Sequence, residues 1–366
     1  MKPHALIGLL AGMLLSSSLY AADSTKPLPL HIGGRVLVES PANQPVSYTY
    51  SWPAVYFETA FKGQSLTLKF DDDQNIFRLI VDDKAPVVIN KPGKVDYPVE
   101  SLAPGKHRVR LEKLTETQST SGRFLGFYTD PSAKPLALPK RKRQIEFIGD
   151  SFTVGYGNTS PSRECTDEEL FKTTNSQMAF GPLTAKAFDA DYQINASSGF
   201  GIVRNYNGTS PDKSLLSLYP YTLNNPDQLY HNKHWKPQVI VIGLGTNDFS
   251  TALNDNERWK TREALHADYV ANYVKFVKQL HSNNARAQFI LMNSDQSNGE
   301  IAEQVGKVVA QLKGGGLHQV EQIVFKGLDY SGCHWHPSAN DDQLLANLLI
   351  THLQQKKGIW LEHHHH

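Results

Sequence analysis

Near residue 140 the spacing of apolar residues changes period, and this change limits the available folds more than any other feature of the chain. From His31 to about Asp130, short apolar stretches alternate with turn residues: Arg35–Glu39 (RVLVE), Ser65–Phe70 (SLTLKF), Ile76–Val81 (IFRLIV), His107–Leu111 (HRVRL) and Phe124–Tyr128 (FLGFY). Alternation of period two, rich in β-branched and aromatic residues and broken by Asp, Gly and Pro, predicts a β-sandwich or jelly roll over residues 25–130. No helical periodicity of useful length occurs there.

Beyond residue 143 strand and helix patterns alternate. Gln144–Gly149 (QIEFIG), Asp191–Asn195, Gln238–Gly243 (QVIVIG), Gln288–Met292 (QFILM) and Gln322–Lys326 (QIVFK) read as short buried strands. Helices are expected around Leu183–Phe188, Arg262–His281, Glu300–Lys313 and Asp341–Gln354. The second of these carries Leu265, Tyr269, Val270, Tyr273, Val274, Val277 and Leu280, a stripe of period about 3.6. Such an order predicts a parallel sheet covered on both faces, an α/β three-layer domain over residues 144–360. In these sheets functional groups gather beyond the carboxyl ends of the strands. Between the domains, residues 131–143 (PSAKPLALPKRKR) hold three prolines and end in four basic residues. That segment is expected to be a semi-rigid, solvated linker, with a phosphate site as the weaker alternative.

The ends of the chain need separate treatment. Met1–Ala22 has a basic start at Lys2, an apolar run over Ala5–Leu15 and a small-residue exit, the pattern of a secretory signal peptide. The run is shorter than the ~18–20 residues needed to span a bilayer, so no membrane partner is expected. Residues 361–366 (LEHHHH) read as a cloning scar and partial histidine tag. With 37 Lys+Arg against 36 Asp+Glu the net charge is +1, and no basic block marks a nucleic-acid partner. Forty per cent apolar content excludes a disordered chain. The expectation is a monomeric globular protein, secreted or periplasmic. Its two cysteines, Cys165 and Cys333, are expected to form one bridge, two buried free thiols being the alternative.

Four strand-to-loop junctions carry the polar residues that chemistry needs. Gly149-Asp150-Ser151 follows the first strand and can present a serine hydroxyl at the edge of the sheet. A helix starting there would add its N-terminal dipole and free amides. Ala196-Ser197-Ser198-Gly199-Phe200-Gly201 lets backbone N–H groups approach a ligand. Gly245-Thr246-Asn247-Asp248 offers an amide side chain that can face a developing oxyanion. Cys333-His334-Trp335-His336-Pro337 places a histidine just before the last helix, where it can act as a general base. Each junction taken alone is equally an ordinary turn, and Cys333, His334 and His336 could form half of a zinc site.

Their order is more specific than any one of them. The four blocks in this succession resemble the SGNH (GDSL-type) hydrolases over residues 144–356. That resemblance implies Ser151 as nucleophile and His336 as general base. It also implies an oxyanion hole made by the N–H groups of Ser151 and Gly199 and the side chain of Asn247, with no metal or organic cofactor. A β-sandwich ahead of such a domain, together with Ser198–Asn205 (SGFGIVRN) and Gly332–Ser338 (GCHWHPS), is similar to carbohydrate esterase family two. The narrower resemblance implies removal of acetyl groups from plant polysaccharides such as xylan and glucomannan, with acetylated polysaccharide or oligosaccharide as the partner. A lipid or small-ester esterase and a carbohydrate-binding protein with a silent hydrolase domain are the alternatives.

Two departures from the pattern bear on mechanism. The aspartate that the superfamily usually carries three residues before the histidine is Cys333 here, and the one often found two residues before it is His334. The expectation is a Ser151–His336 dyad whose far imidazole nitrogen meets a main-chain carbonyl, with Asp329 as the nearest alternative carboxylate. A Cys165–Cys333 bridge would pin the histidine loop and close ~170 residues, worth about 4–5 kcal/mol on a chain-entropy model. Trp335 is a candidate for stacking on sugar, with core packing as the alternative.

Overall fold

The structure is a computed structural model that describes residues 24–361; the expected signal peptide Met1–Ala22 and the residues 362–366 of the tag lie outside the described residues. The N-terminal domain is all-β and is followed by an α/β domain with a parallel sheet. In the first domain two antiparallel sheets of six strands face each other. One runs in the order Leu37–Glu39, Ser47–Tyr50, Gly122–Thr129, Thr67–Asp72 and Gly93–Pro98, with Lys26–Pro27 also on Gly122–Thr129. The other runs Lys134–Pro135, Tyr56–Gly63, Gly105–Lys113, Ile76–Val81 and Val87–Asn90, with His31–Gly33 on Tyr56–Gly63. Phe57, Phe61, Leu68, Phe70, Phe77, Leu111, Phe124 and Phe127 fill the space between the sheets.

The strand Tyr56–Gly63 escapes the alternation rule, and its burial explains why. Its inward residues Phe57 and Phe61 join the sandwich core, whereas Tyr56, on the other face, joins the core of the second domain. A strand covered on both faces is apolar on both, so period two disappears from its sequence.

In the second domain the five strands Gln144–Gly149, Asp191–Ala196, Val239–Gly243, Gln288–Ser294 and Val320–Phe325 are all parallel, in the spatial order 2-1-3-4-5. The helices Arg262–Asn283 and Glu300–Gly314 cover one face over Ile148, Ile240, Ile242, Phe289 and Leu291. Phe180–Ala187 and Ala339–Gln354 cover the other over Phe147, Ile194, Val241 and Met292. In this order the chain reverses direction of growth between the first and third strands, and the crevice beyond their carboxyl ends is where a doubly wound sheet binds ligands. Ser151 and Asn247 follow those two strands.

The connector is exposed over much of its length, yet it is anchored at several residues. Lys134–Pro135 pairs with Tyr56–Gly63. Arg141 makes a bidentate bond to Glu58 at 2.6 and 2.7 Å and a further bond to Asp191 at 3.0 Å. Arg143 donates to the Phe188 carbonyl and lies over the Trp360 ring. Of the basic residues, Arg141 is a cation of an interdomain ion cluster. No helix among the described residues is long and apolar enough to cross a membrane.

Candidate active site

The site is assembled from the four junctions. After the first strand, Asp150 caps a single helical turn, Ser151–Val154, accepting the Phe152 N–H at 3.0 Å. The short turn carries little of the expected helix dipole; what it leaves is the N–H of Ser151, which has no acceptor among the described residues. Burial pushes the Asp150 carboxyl up to about 7, and the Asp248 carboxylate acts in the same direction.

After the second strand, Gly199 has φ of 86°, a left-handed conformation that glycine adopts at little cost. Among the described residues the Gly199 N–H has no acceptor. The loop then folds around Asp248, whose carboxylate accepts the N–H groups of Ile202, Val203 and Arg204 at 3.0, 2.9 and 3.1 Å. A Cβ at Gly201 would lie 2.4 Å from the Asp248 carboxylate, so this closeness requires a glycine. Burial raises the Asp248 carboxyl to about 6 in spite of those three donors. Arg204, 2% exposed, pairs with both oxygens of Glu257 and donates to the carbonyls of Asp248, Thr251 and Ala252. It ties the glycine loop to the loop bearing Asn247. Sequence reasoning missed Asp248, Arg204 and Glu257 as anchors, although the first two lie inside motifs that it singled out.

After the third strand, the buried Asn247 donates from its amide to the Phe200 carbonyl at 2.9 Å, which leaves its second N–H without an acceptor among the described residues. Ahead of the last helix, the Nε2 of His336 lies 2.8 Å from the Ser151 hydroxyl. Its Nδ1 faces the carbonyls of Cys333 and His334 at 3.0 and 3.2 Å. Carbonyls only accept, so Nδ1 carries the proton and Nε2 is free to receive the serine hydroxyl. Burial lowers the His336 pKa to about 4, against the two carbonyls, which favour the charged form. The Tyr156 ring stacks on the imidazole with centroids 4.0 Å apart. Asp329 bonds Ser331 and shows no bond to His336.

The histidine loop is clamped from outside. Cys165 and Cys333 form a disulfide. His334 receives the Tyr156 hydroxyl on Nδ1 and donates from Nε2 to the Cys165 carbonyl. With one candidate ligand in a disulfide and both ring nitrogens of another engaged, Cys333, His334 and His336 are not a zinc site. Trp335 is 64% exposed, which sets core packing aside, and the Arg163 guanidinium lies 3.7 Å over its ring. Elsewhere, His31, Glu58 and Asp191 place ligand atoms within 4.8 Å of one another. Arg141 donates to both carboxylates there and Tyr56 to Asp191, so a cation already occupies the cluster. The assembled site offers a hydroxyl beside an imidazole nitrogen able to accept its proton, with three N–H donors on adjacent loops that have no acceptor among the described residues: an arrangement suited to acyl transfer.

Comparison with known proteins agrees with this chemistry. Residues 32–139 match the family model described as carbohydrate esterase 2 N-terminal, and residues 147–349 match the GDSL-like lipase/acylhydrolase family. The chain is 33% identical over 320 residues to the cellulase/esterase CelE of Acetivibrio thermocellus, covering 84% of this chain and only 38% of that protein's length. It is 26% identical over 341 residues to an acetylxylan esterase / glucomannan deacetylase of Cellvibrio japonicus, covering 90% and 86% of the two chains. A solved structure of a carbohydrate esterase, whose active site is described as displaying divergent catalytic and non-catalytic binding functions, is 98% identical. It superposes with a TM-score of 0.89 over 92% of this chain and 100% of that one. The chain therefore belongs to carbohydrate esterase family two, and its second domain to the GDSL-type carboxylic ester hydrolases.

Proposed function

We propose that this chain is a secreted serine esterase that removes O-acetyl groups from plant cell-wall polysaccharides, xylan and glucomannan, through an acetyl-enzyme. The observation that carries the reading is the 2.8 Å contact of Ser151 with a His336 whose other nitrogen is committed to carbonyls. Ser151 Oγ attacks the acetyl carbonyl while its proton passes to His336 Nε2. The tetrahedral oxyanion is received by the N–H groups of Ser151 and Gly199 and by the Asn247 amide. Collapse expels the sugar oxygen, which takes the proton from His336. A water then attacks the acetyl-enzyme by the same route, releasing acetate and restoring Ser151. Main-chain carbonyls do the orienting that a carboxylate does in a triad.

Trp335 borders the subsite where sugar binds, since a flat apolar ring already backed by Arg163 can stack on a pyranose. The similarity to an acetylxylan esterase / glucomannan deacetylase supports the choice of substrate. Export rests on Met1–Ala22. The test is acetate release from acetylated xylan and acetylated glucomannan by wild type, Ser151→Ala and Asn247→Ala. Wild type is expected to release acetate, Ser151→Ala none, and Asn247→Ala to lose about 10²–10³ in kcat, as when one oxyanion donor is removed elsewhere. Release from neither polymer moves the assignment to lipid or small esters, or to a binding protein.

A further inference from the structure

The β-domain reaches the candidate oxyanion hole. Residues 114–121 join the strands Gly105–Lys113 and Gly122–Thr129 of the sandwich and extend to the glycine loop of the other domain. There the Gln118 amide donates from Nε2 to the Ser198 carbonyl at 2.7 Å and to the Ser197 hydroxyl at 2.9 Å. The Glu116 carboxylate accepts the Ser198 N–H at 3.0 Å. Both main-chain polar groups of Ser198 are thus held by side chains from the other domain.

The Ser198 carbonyl and the Gly199 N–H belong to one peptide unit. That unit is planar and trans, so its C=O and N–H point in opposite directions. A donor that fixes where the oxygen points also fixes where the N–H points. Gly199, at φ of 86° and with open space where a Cβ would be, has no side chain to help hold that plane; locally the turn is closed by the Phe200 N–H to the Ser197 carbonyl at 3.3 Å and the Tyr206 N–H to the Gly199 carbonyl at 2.9 Å. A bonded carbonyl also polarises its amide and strengthens the N–H as a donor.

We propose that Gln118 and Glu116 are positioning residues for the esterase reaction, and that the β-domain completes the active site by aiming the Gly199 N–H. The inference rests on the serine-esterase reading above. The reaching loop is itself anchored at both ends. Thr115 and Thr117 donate their hydroxyls to the buried Asn75 at 2.9 and 3.4 Å. On the far side Asn224 of the second domain donates to the carbonyls of Thr117 and Gln118 at 3.2 and 2.7 Å. Both polar side chains that the loop sends toward the site are engaged with protein.

The experiment measures kcat and KM for 4-nitrophenyl acetate and acetylated xylan in the full chain, for Gln118→Ala, Gln118→Glu, Glu116→Ala, Glu116→Gln and Ser151→Ala. Gln118 is exposed, and thermal melting verifies that each variant is folded. Gln118→Ala and Glu116→Ala are expected to lose about ten-fold or more in kcat on both substrates with KM little changed, because an oxyanion donor acts in the transition state. Gln118→Glu, which sets an acceptor against a carbonyl, should lose more. Glu116→Gln, which still accepts the Ser198 N–H, should recover most of the activity. If kcat stays within two-fold in Gln118→Ala and Gln118→Glu while Ser151→Ala is dead, the positioning role is wrong and the serine mechanism stands. A defect confined to KM on xylan also overturns it, since that is a sugar contact. Activity in Ser151→Ala would remove the serine reading itself, and this inference with it.

Discussion

In the proposed mechanism His336 is the residue on which the pH behaviour turns. A histidine normally titrates near 6.5, and a partner carboxylate would raise that value. Here burial takes it down to about 4, with only neutral carbonyls on Nδ1. The base must be neutral to accept the Ser151 proton, so activity is present above the folded pKa and is lost as pH falls through it. The acid limb of kcat/KM is therefore expected near pH 4, with no break at 6.5. Asp150, one residue from the proposed nucleophile and raised to about 7, is the competing group. A limb near 7 that vanishes in Asp150→Asn would transfer the control to that carboxyl. Asp329→Ala should leave kcat within a few-fold, because that side chain bonds Ser331 instead of the imidazole; a fall of several orders would show that a carboxylate orients the base after all. The four junction motifs were legible in the sequence because they are short and local. Asp248, Arg204 and Gln118 were not, since their partners lie 44–46, 53 and 80 residues away and no local pattern announces them.

Among the elements, the five strands of the parallel sheet could be read with small errors at their ends, because a buried strand bounded by turn residues is conspicuous. The sandwich was read less completely. Ser47–Tyr50, Val87–Asn90 and Gly93–Pro98 are short and largely polar or exposed, and Tyr56–Gly63 is buried on both faces. The turn Cys333–Trp335, which leads directly into the proposed base His336, shows how an element outside the regular repertoire is held. His334 and Trp335 have φ of 52° and 62°, unfavourable for residues with a side chain, so surrounding contacts must impose the conformation. Those contacts are the Cys165–Cys333 disulfide, the His334 N–H bond to the Arg163 carbonyl at 2.7 Å, and two bonds from the Arg163 guanidinium to the carbonyls of Asp329 and Tyr330. The paired Cys165→Ser, Cys333→Ser variant is expected to lose up to about 4–5 kcal/mol of stability, given the span that the bridge closes. Its kcat should fall further than its melting point alone explains, because the Cys333 carbonyl would no longer be fixed against Nδ1. Denaturant melts with kcat measured well below the transition separate the two effects; unchanged kcat would show that the hydrogen bonds hold the turn without the bridge.

At the scale of the whole molecule the domains share their interiors. Trp52, Ala54 and Tyr56 come from the β-domain segment yet lie in the two cores of the α/β domain. Gln177 crosses the other way, donating to the carbonyls of Ala54 and Lys113 at 2.9 and 3.3 Å. Arg110 bonds the Tyr192 hydroxyl at 2.8 Å and lies 4.0 Å over the Tyr56 ring. Beside them Arg141 closes the Glu58–Asp191 cluster. Burial alone would raise the Glu58 carboxyl, yet the guanidiniums of Arg141 and Arg110 hold it below the usual range. The pattern of the sequence marks two domains because each has its own periodicity, but it does not reveal an interface made of residues that also serve as core. Domains joined by ordinary contacts often unfold separately, whereas a shared core couples them. One calorimetric transition is therefore expected for the whole chain. Arg141→Ala removes one cation from two buried carboxylates, leaving Arg110 against Glu58 and His31 against Asp191, and should cost up to about 3 kcal/mol, lowering that single transition without dividing it. Two separated transitions in the wild type would show that the shared residues do not couple the domains. A split appearing only in Arg141→Ala would place the coupling in the ion cluster and not in the aromatic core.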